Sequence, residues 1–140
     1  MHPFASFINP PRLPPPNGFS HVAIAPAGRL VVVSGQVAYA PDGRIIGKGD
    51  LAAQTRQVLE NLSIALEAAG SSLRHAVKLT YFVKDLTEDA VAIIRRERAP
   101  YLDPGRLPAS TLVGVAALAK ADLLLEVECL ALTGPQQAPV

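Results

Sequence analysis

Two glutamates near the C-terminal end are the residues best placed to do chemistry. Glu126 and Glu128 are separated by a single residue, Val127, in a run that is otherwise apolar. In a strand, the two carboxylates would share one face, and the opposite face would carry Leu123, Leu125, Val127, Cys129 and Ala131. A carboxylate partly removed from water can hold or deliver a proton near neutral pH. We therefore expect the pair to line a site or to meet water, or else to pair with a base such as Lys78, Lys84 or Lys120.

Small polar residues on other predicted strands are further candidates. Ser34 lies in the run Leu30–Val37, and Ser110 and Thr111 lie in the run Leu107–Val115. A hydroxyl on a strand is ordinarily satisfied by a backbone carbonyl, so the residues alone leave a structural role open beside ligand contact. Gly35, inside the first run, marks either a bulge or a place where a ligand or another backbone comes close.

Metal and cofactor chemistry have no motif behind them. The sequence contains no nucleotide-binding glycine motif and no zinc motif, and its three histidines, His2, His21 and His75, are scattered. Cys129 lies on the apolar side of the last predicted strand, where a thiol is expected to be a small buried hydrophobic group and not a nucleophile. We expect no bound metal and no cofactor.

Composition limits the partners of the chain. A formal net charge of +1, from 13 basic and 12 acidic residues, gives no reason to expect nucleic acid, and the run Arg95-Arg96-Glu97-Arg98 is predicted to be a solvated helix face. No apolar run approaches the roughly 20 residues of a membrane span. A single cysteine suits a reducing compartment. These features predict a cytoplasmic protein with neither a nucleic-acid nor a membrane partner.

The hydrophobic pattern predicts an α+β fold in the order β-β-α-β-α-β-β, with both helices on one face of a sheet. Asp50 and Thr87 are predicted helix N-caps, and Pro100 should stop the second helix. The predicted strands are Phe19–Ile24, Leu30–Val37, Val77–Val83, Leu107–Val115 and Leu123–Ala131, and the predicted helices are Leu51–Ala69 and a segment from Thr87 to about Ala99.

The 140 residues fit one domain with a terminal segment on each side. Residues 1–18 form a proline-rich arm, predicted to be extended and irregular; it would either hug the surface or serve as a ligand for a proline-recognising domain. Residues 19–132 form the domain, and residues 133–140 a flexible tail. Two helices cannot cover both faces of the sheet, so we expect oligomerisation through the open one.

Several segments resemble the RidA/YjgF family in order and spacing from about Phe19 to Leu132. The matching segments are Ser34-Gly-Gln36, Gln57-Val-Leu-Glu-Asn-Leu62, Leu66-Glu-Ala-Ala-Gly70, Val83-Lys-Asp-Leu86 and the strand pair from Pro108 to Glu128. The resemblance implies a chorismate mutase-like fold with a mixed sheet, a homotrimer with a barrel core, and small-molecule clefts between subunits. It also implies hydrolysis of reactive imines or enamines to a 2-keto acid and ammonia.

The resemblance assigns roles to the candidate residues. It implies that Glu126 positions or protonates the attacking water and that Glu128 is structural. Phe19 matches the aromatic residue that closes the cleft. The segment Ser34-Gly35 would face the ligand, while Ser110 and Thr111 offer hydrogen bonds.

One position departs from the family pattern. Ser110 stands where the family has the arginine that grips the substrate carboxylate, and Arg106 is a candidate replacement from the preceding loop. We therefore expect little 2-iminopropanoate deamination. Two functions remain open: hydrolysis of another imine or related labile C–N bond, or a non-catalytic ligand-binding or regulatory trimer.

Overall fold

A computed structural model describes residues 5–134. The strands are β1 (Ser6–Ile8), β2 (Val22–Ile24), β3 (Arg29–Gln36), β4 (Ala76–Lys84), β5 (Ala109–Val115) and β6 (Leu125–Thr133), and the helices are α1 (Leu51–Ala68) and α2 (Glu88–Arg98). Short 3-10 turns occupy Leu73–His75 and Ala99–Tyr101. The predicted flexible tail began at residue 133, but Thr133 is the last residue of β6 and is buried, and the rest of the tail from residue 135 onward lies outside the described residues.

Four strands form the main sheet, in the order β3-β6-β4-β5. β6 pairs antiparallel with both β3 and β4, whereas β4 and β5 are parallel because α2 crosses between them. Both helices pack on one face of this mixed sheet, as the pattern predicted. The predicted α+β fold class is therefore confirmed.

Local sequence signals explain where the helices begin and end. Asp50 accepts a hydrogen bond from the Ala53 amide (3.0 Å), and Thr87 accepts one from the Ala90 amide (3.1 Å), so both predicted N-caps are present. Pro100 lies in the 3-10 turn that follows α2. Fully buried apolar side chains join α1 to the sheet, and they include Val58, Leu59, Leu62, Leu66, Leu79, Val83 and Leu125.

The other side of the sheet, here called the open face, carries no helix among residues 5–134. Several apolar side chains on it are exposed, notably Leu30 (61%), Val32 (67%) and Val113 (40%). Apolar area of this kind is favourable to bury against another protein surface. No helix in the described part of the chain is both long and apolar enough to cross a bilayer.

The N-terminal arm is more regular than expected. Ser6–Ile8 pairs antiparallel with β2, so the prediction of a wholly irregular arm is wrong for these residues. They lie between Pro3 and Pro10 and keep their amide donors, which is why they can form a ladder. Beyond them, Asn9 Oδ1 accepts a hydrogen bond from the His21 amide (2.7 Å), and His21 Nε2 lies 2.8 Å from the carbonyl oxygen of Pro14.

Candidate functional site

Glu126 lies directly against Gly35. A Cβ atom added at Gly35 would lie 2.8 Å from both Cγ and Cδ of Glu126 and closer still to Oε1, which real contacts essentially never allow. The φ angle of Gly35 is not in the left-handed region, so a larger residue would be resisted by the Glu126 side chain, which would have to shift, and not by backbone conformation. The glycine on β3 therefore makes room for the glutamate on β6.

A β-bulge brings the two residues together. Val33 pairs with Cys129 and Gln36 with Val127, so Ser34 and Gly35 both stand opposite a single residue of β6. The sequence left open whether Gly35 marks a bulge or a close approach, and both are present. The approaching group is the side chain of Glu126 from the neighbouring strand.

The two glutamates differ in their surroundings. The predicted alternation holds, because Leu125 and Val127 are buried while Glu126 is half-buried and Glu128 is exposed. Within residues 5–134 neither carboxylate forms an ion pair. Two of the lysines proposed as partners donate elsewhere, Lys78 to the Thr111 hydroxyl (2.5 Å) and Lys84 to the Ala121 carbonyl (3.0 Å). Of the three expected outcomes, contact with solvent is the one that Glu128 has.

Ser110 and Phe19 share a cleft of about 300 Å³, here called the Ser110 cleft. A bridge from Ser20 to Ala109, with the Ser20 amide donating to the Pro108 carbonyl (3.0 Å), holds the Phe19 segment beside β5. The residues that line the cleft are Asn17, Phe19, Leu86, Val91, Arg95, Arg98, Ser110 and Leu112.

The structure splits the predicted site into two groups. Ser110 pairs with buried Leu79 and so faces the helices, whereas Glu126 faces the opposite side of the sheet. The Cα atoms of Ser110 and Glu126 lie two strands apart across the sheet and three residues apart along the strands, which corresponds to a distance of about 14 Å. Thr111 points to the open face and accepts the hydrogen bond from Lys78. Within one chain Ser110 and Thr111 therefore do not line the same cleft, because consecutive residues of a strand face opposite sides.

The arginines of the Ser110 cleft come from α2. Arg106, the candidate replacement for the family arginine, is not among the residues that line it, while Arg95 and Arg98 are. Arg98 is only 6% exposed and donates to the Gly18 carbonyl (2.8 Å). The prediction of a solvated face is therefore wrong for Arg98. Ile94, four residues before Arg98, is fully buried. Residues four apart lie on the same face of a helix, so this spacing is the sequence signal that could have predicted an inward-facing Arg98.

Gln54 is a buried residue that the sequence reasoning did not single out. Its amide nitrogen donates to the carbonyls of Gly47 (3.2 Å) and Asp122 (2.8 Å), and its oxygen accepts from the Leu124 amide (2.9 Å). These bonds join the start of α1 to the turn that leads into β6. Gln54 therefore holds the start of β6 in place, and Glu126 is the second residue of that strand.

Cys129 is a buried hydrophobic group, as predicted. Its side chain is 1% exposed, and burial raises the pKa of the thiol to about 12. Almost no thiolate therefore exists at neutral pH, and Cys129 is no nucleophile. Among residues 5–134, no group of three or more histidine, cysteine, aspartate or glutamate side chains could hold a metal ion.

Comparison with known proteins assigns the chain to a family. Residues 10–133 match the sequence profile of the family described as Endoribonuclease L-PSP. The chain belongs to this family, also known as RidA/YjgF. A RutC family protein of Pyrococcus horikoshii is 40% identical over 105 residues, which are 75% of this chain and 80% of the relative.

Two further relatives carry informative descriptions. The 2-iminobutanoate/2-iminopropanoate deaminase of Salmonella typhimurium is 38% identical over 104 residues, 74% of this chain and 80% of that enzyme. A solved structure from Yersinia pestis, described as a protein of unknown function of the conserved Rid family, superposes with a TM-score of 0.84 at 38% identity. The superposition covers 92% of this chain and 98% of the Yersinia chain. The RidA/YjgF assignment thus rests on both sequence and fold.

Proposed function

We propose that this RidA/YjgF protein hydrolyses the imine or enamine of a small metabolite, with Glu126 as the acid and base. The observation that carries this proposal is the half-buried carboxylate of Glu126, which fills the space that Gly35 leaves empty. A carboxylate held in this way is positioned to bind one water molecule and move a proton. The name of the Salmonella relative, an iminobutanoate and iminopropanoate deaminase, supports the same chemistry.

The reaction needs one water and no redox partner. Glu126 takes a proton from water as the water oxygen bonds to the imine carbon, and the C=N electron pair moves to nitrogen. The proton then passes to that nitrogen, which gives a carbinolamine. Glu126 next takes the hydroxyl proton of the carbinolamine and delivers it to the amine, so that the C–N bond breaks and ammonia leaves as the carbonyl forms. The Ser34 hydroxyl, on the same bulge as Gly35, offers a hydrogen bond to the water or to the substrate.

We propose a homotrimer whose site lies between two copies. Glu126 and the Ser34-Gly35 bulge lie toward one edge of the sheet, whereas Phe19 and Ser110 lie beside β5 at the other edge. One chain cannot bring the two groups together, but the β5 side of one copy can meet the β3 side of the next in a closed ring. The exposed apolar side chains of the open face support such an assembly.

A second function, a non-catalytic ligand-binding or regulatory trimer, is favoured by Ser110. A serine supplies no charge to hold a substrate carboxylate at the position where the resemblance implies an arginine, so the site is less suited to the deamination of 2-imino acids. RNA cleavage, which the family description names, gains no support from a net charge of +1.

The two functions are separated by a hydrolysis assay. Imines of several amino acids, generated in place by an amino-acid oxidase, are offered to the purified protein, and the formation of keto acid and ammonia is followed. We expect hydrolysis of at least one imine to exceed the rate in buffer. If the protein accelerates the hydrolysis of none of these imines but still binds keto acids, the chain is a binding protein.

A further inference from the structure

Two arginines of α2 give the Ser110 cleft an uncompensated positive charge. Arg95 and Arg98 line this cleft and also a second one of about 210 Å³, which adjoins it and likewise includes Asn17. None of the described residues that line either cleft is acidic. The two clefts therefore carry two guanidinium groups and no carboxylate.

Arg98 holds its charge in a nearly dry position. Its side chain donates to the Gly18 carbonyl, and its Cζ atom lies 5.3 Å from the centroid of the Tyr81 ring. No carboxylate within residues 5–134 forms an ion pair with it. Removing a guanidinium from water is unfavourable, and one carbonyl and one ring face offset only part of that cost. An anion in the cleft would supply the missing counter-charge.

Arg95 is available to bind such an anion. It is exposed, and it has no hydrogen bond or ion pair to any described residue, whereas its neighbour Arg96 lies 3.1 Å from Glu97. Glu97 also binds Arg56 at 2.9 Å, so Arg96 belongs to a surface network. Arg95 and Arg98, three residues apart, share one face of the helix and both reach the cleft.

We propose that Arg95 and Arg98 bind the carboxylate of a small organic acid in the Ser110 cleft and supply the charge that Ser110 lacks. The proposal rests on the proposed function, because it names the substrate class of the same site. Arg95 makes the two-pronged contact that suits a carboxylate. Phe19 and Leu112 wall the apolar body of the ligand, and the volume suits an acid with a short side chain.

A binding titration of the full-length protein tests this assignment without any need for turnover. The probes are 2-oxobutanoate, the keto acid that hydrolysis of 2-iminobutanoate would release, and its neutral analogue 2-oxobutanamide. Arg95→Gln should weaken binding of the acid about tenfold or more and leave binding of the amide unchanged. Arg96→Gln, which removes the same charge one residue away, should change neither. Arg95 is exposed, so its variant should fold.

Three outcomes would overturn the assignment. The first is unchanged binding of the acid by Arg95→Gln. The second is equal weakening by the Arg95 and Arg96 variants, which would reflect net charge alone. The third is tighter binding of inorganic phosphate than of 2-oxobutanoate, if the binding of phosphate also depends on Arg95. The proposed hydrolysis fails separately: Arg95-dependent binding without ammonia release contradicts only the hydrolysis, and ammonia release unaffected by Arg95→Gln contradicts only this site.

Discussion

The side chain of Glu126 occupies the space that any side chain at Gly35 would fill. A Cβ atom there would lie 2.8 Å from Cγ and Cδ of the glutamate. The bulge that places Gly35 opposite β6 thus also fixes the direction of Glu126. The glycine and the carboxylate form one structural unit, and a change in either should be felt by the other.

Gly35→Ala should destabilise the protein by about 1–3 kcal/mol, because the added methyl group overpacks the contact with Glu126. Urea unfolding measures the loss. Gly105→Ala is the matched control: its Cβ would lie 3.4 Å from Asp103 Oδ1, and we expect little change. In a Glu126→Ala background, most of the cost of Gly35→Ala should disappear. A cost that persists in that background would place the strain in the backbone and not in the contact.

Glu126→Gln should lower imine hydrolysis by a factor of about 100 or more, because an amide cannot exchange the proton that the reaction moves. Binding of 2-oxobutanoate should be preserved, since the side chain keeps its size. Glu128→Gln, two residues along the same strand and exposed, is the control and should retain activity. Equal losses in the two variants would mean that general charge, and not the position of Glu126, supports the reaction.

Val32→Asp should break the proposed trimer into monomers. Val32 is 67% exposed on the open face of the single chain, and a charge buried there between copies would be strongly unfavourable. Light scattering at low micromolar concentration gives the mass. Ile64→Asp, at a residue 58% exposed on α1, is the control and should leave the mass unchanged. A wild-type protein that is monomeric under these conditions would contradict the proposed assembly.

Stability should fall in alkaline solution partly through Cys129. Its pKa is raised to about 12 by burial, against 9.0 for an ordinary thiol. The unfolded thiol therefore ionises first, so the contribution is fully present below pH 9 and is lost between about pH 9 and 12, at about 1.4 kcal/mol per pH unit. Urea unfolding of wild type and Cys129→Ala at pH 8 to 10.5 isolates this contribution, because the other groups cancel. Parallel pH profiles would contradict it.

The local patterns were sufficient for much of this protein. Alternation along residues 123–131 predicted which side chains of β6 are buried, because a strand has a fixed period of two. Asp50 and Thr87 marked the helix starts through hydrogen bonds that span only three residues. The order and spacing of the segments from Ser34 to Glu128 are sufficient to indicate the RidA/YjgF family. These features depend on residues close together in the chain.

The tertiary structure alone decided how the candidate residues are grouped. Periodicity gives the faces of a strand but not its neighbours, and the order β3-β6-β4-β5 separates Ser110 from Glu126 and brings Gly35 to the glutamate. The turn of α2 that points Arg98 into the Ser110 cleft likewise follows from packing of the whole helix on the sheet. Such contacts join residues up to 91 positions apart, as Gly35 and Glu126 are. No local pattern encodes them, because they depend on how separate elements pack.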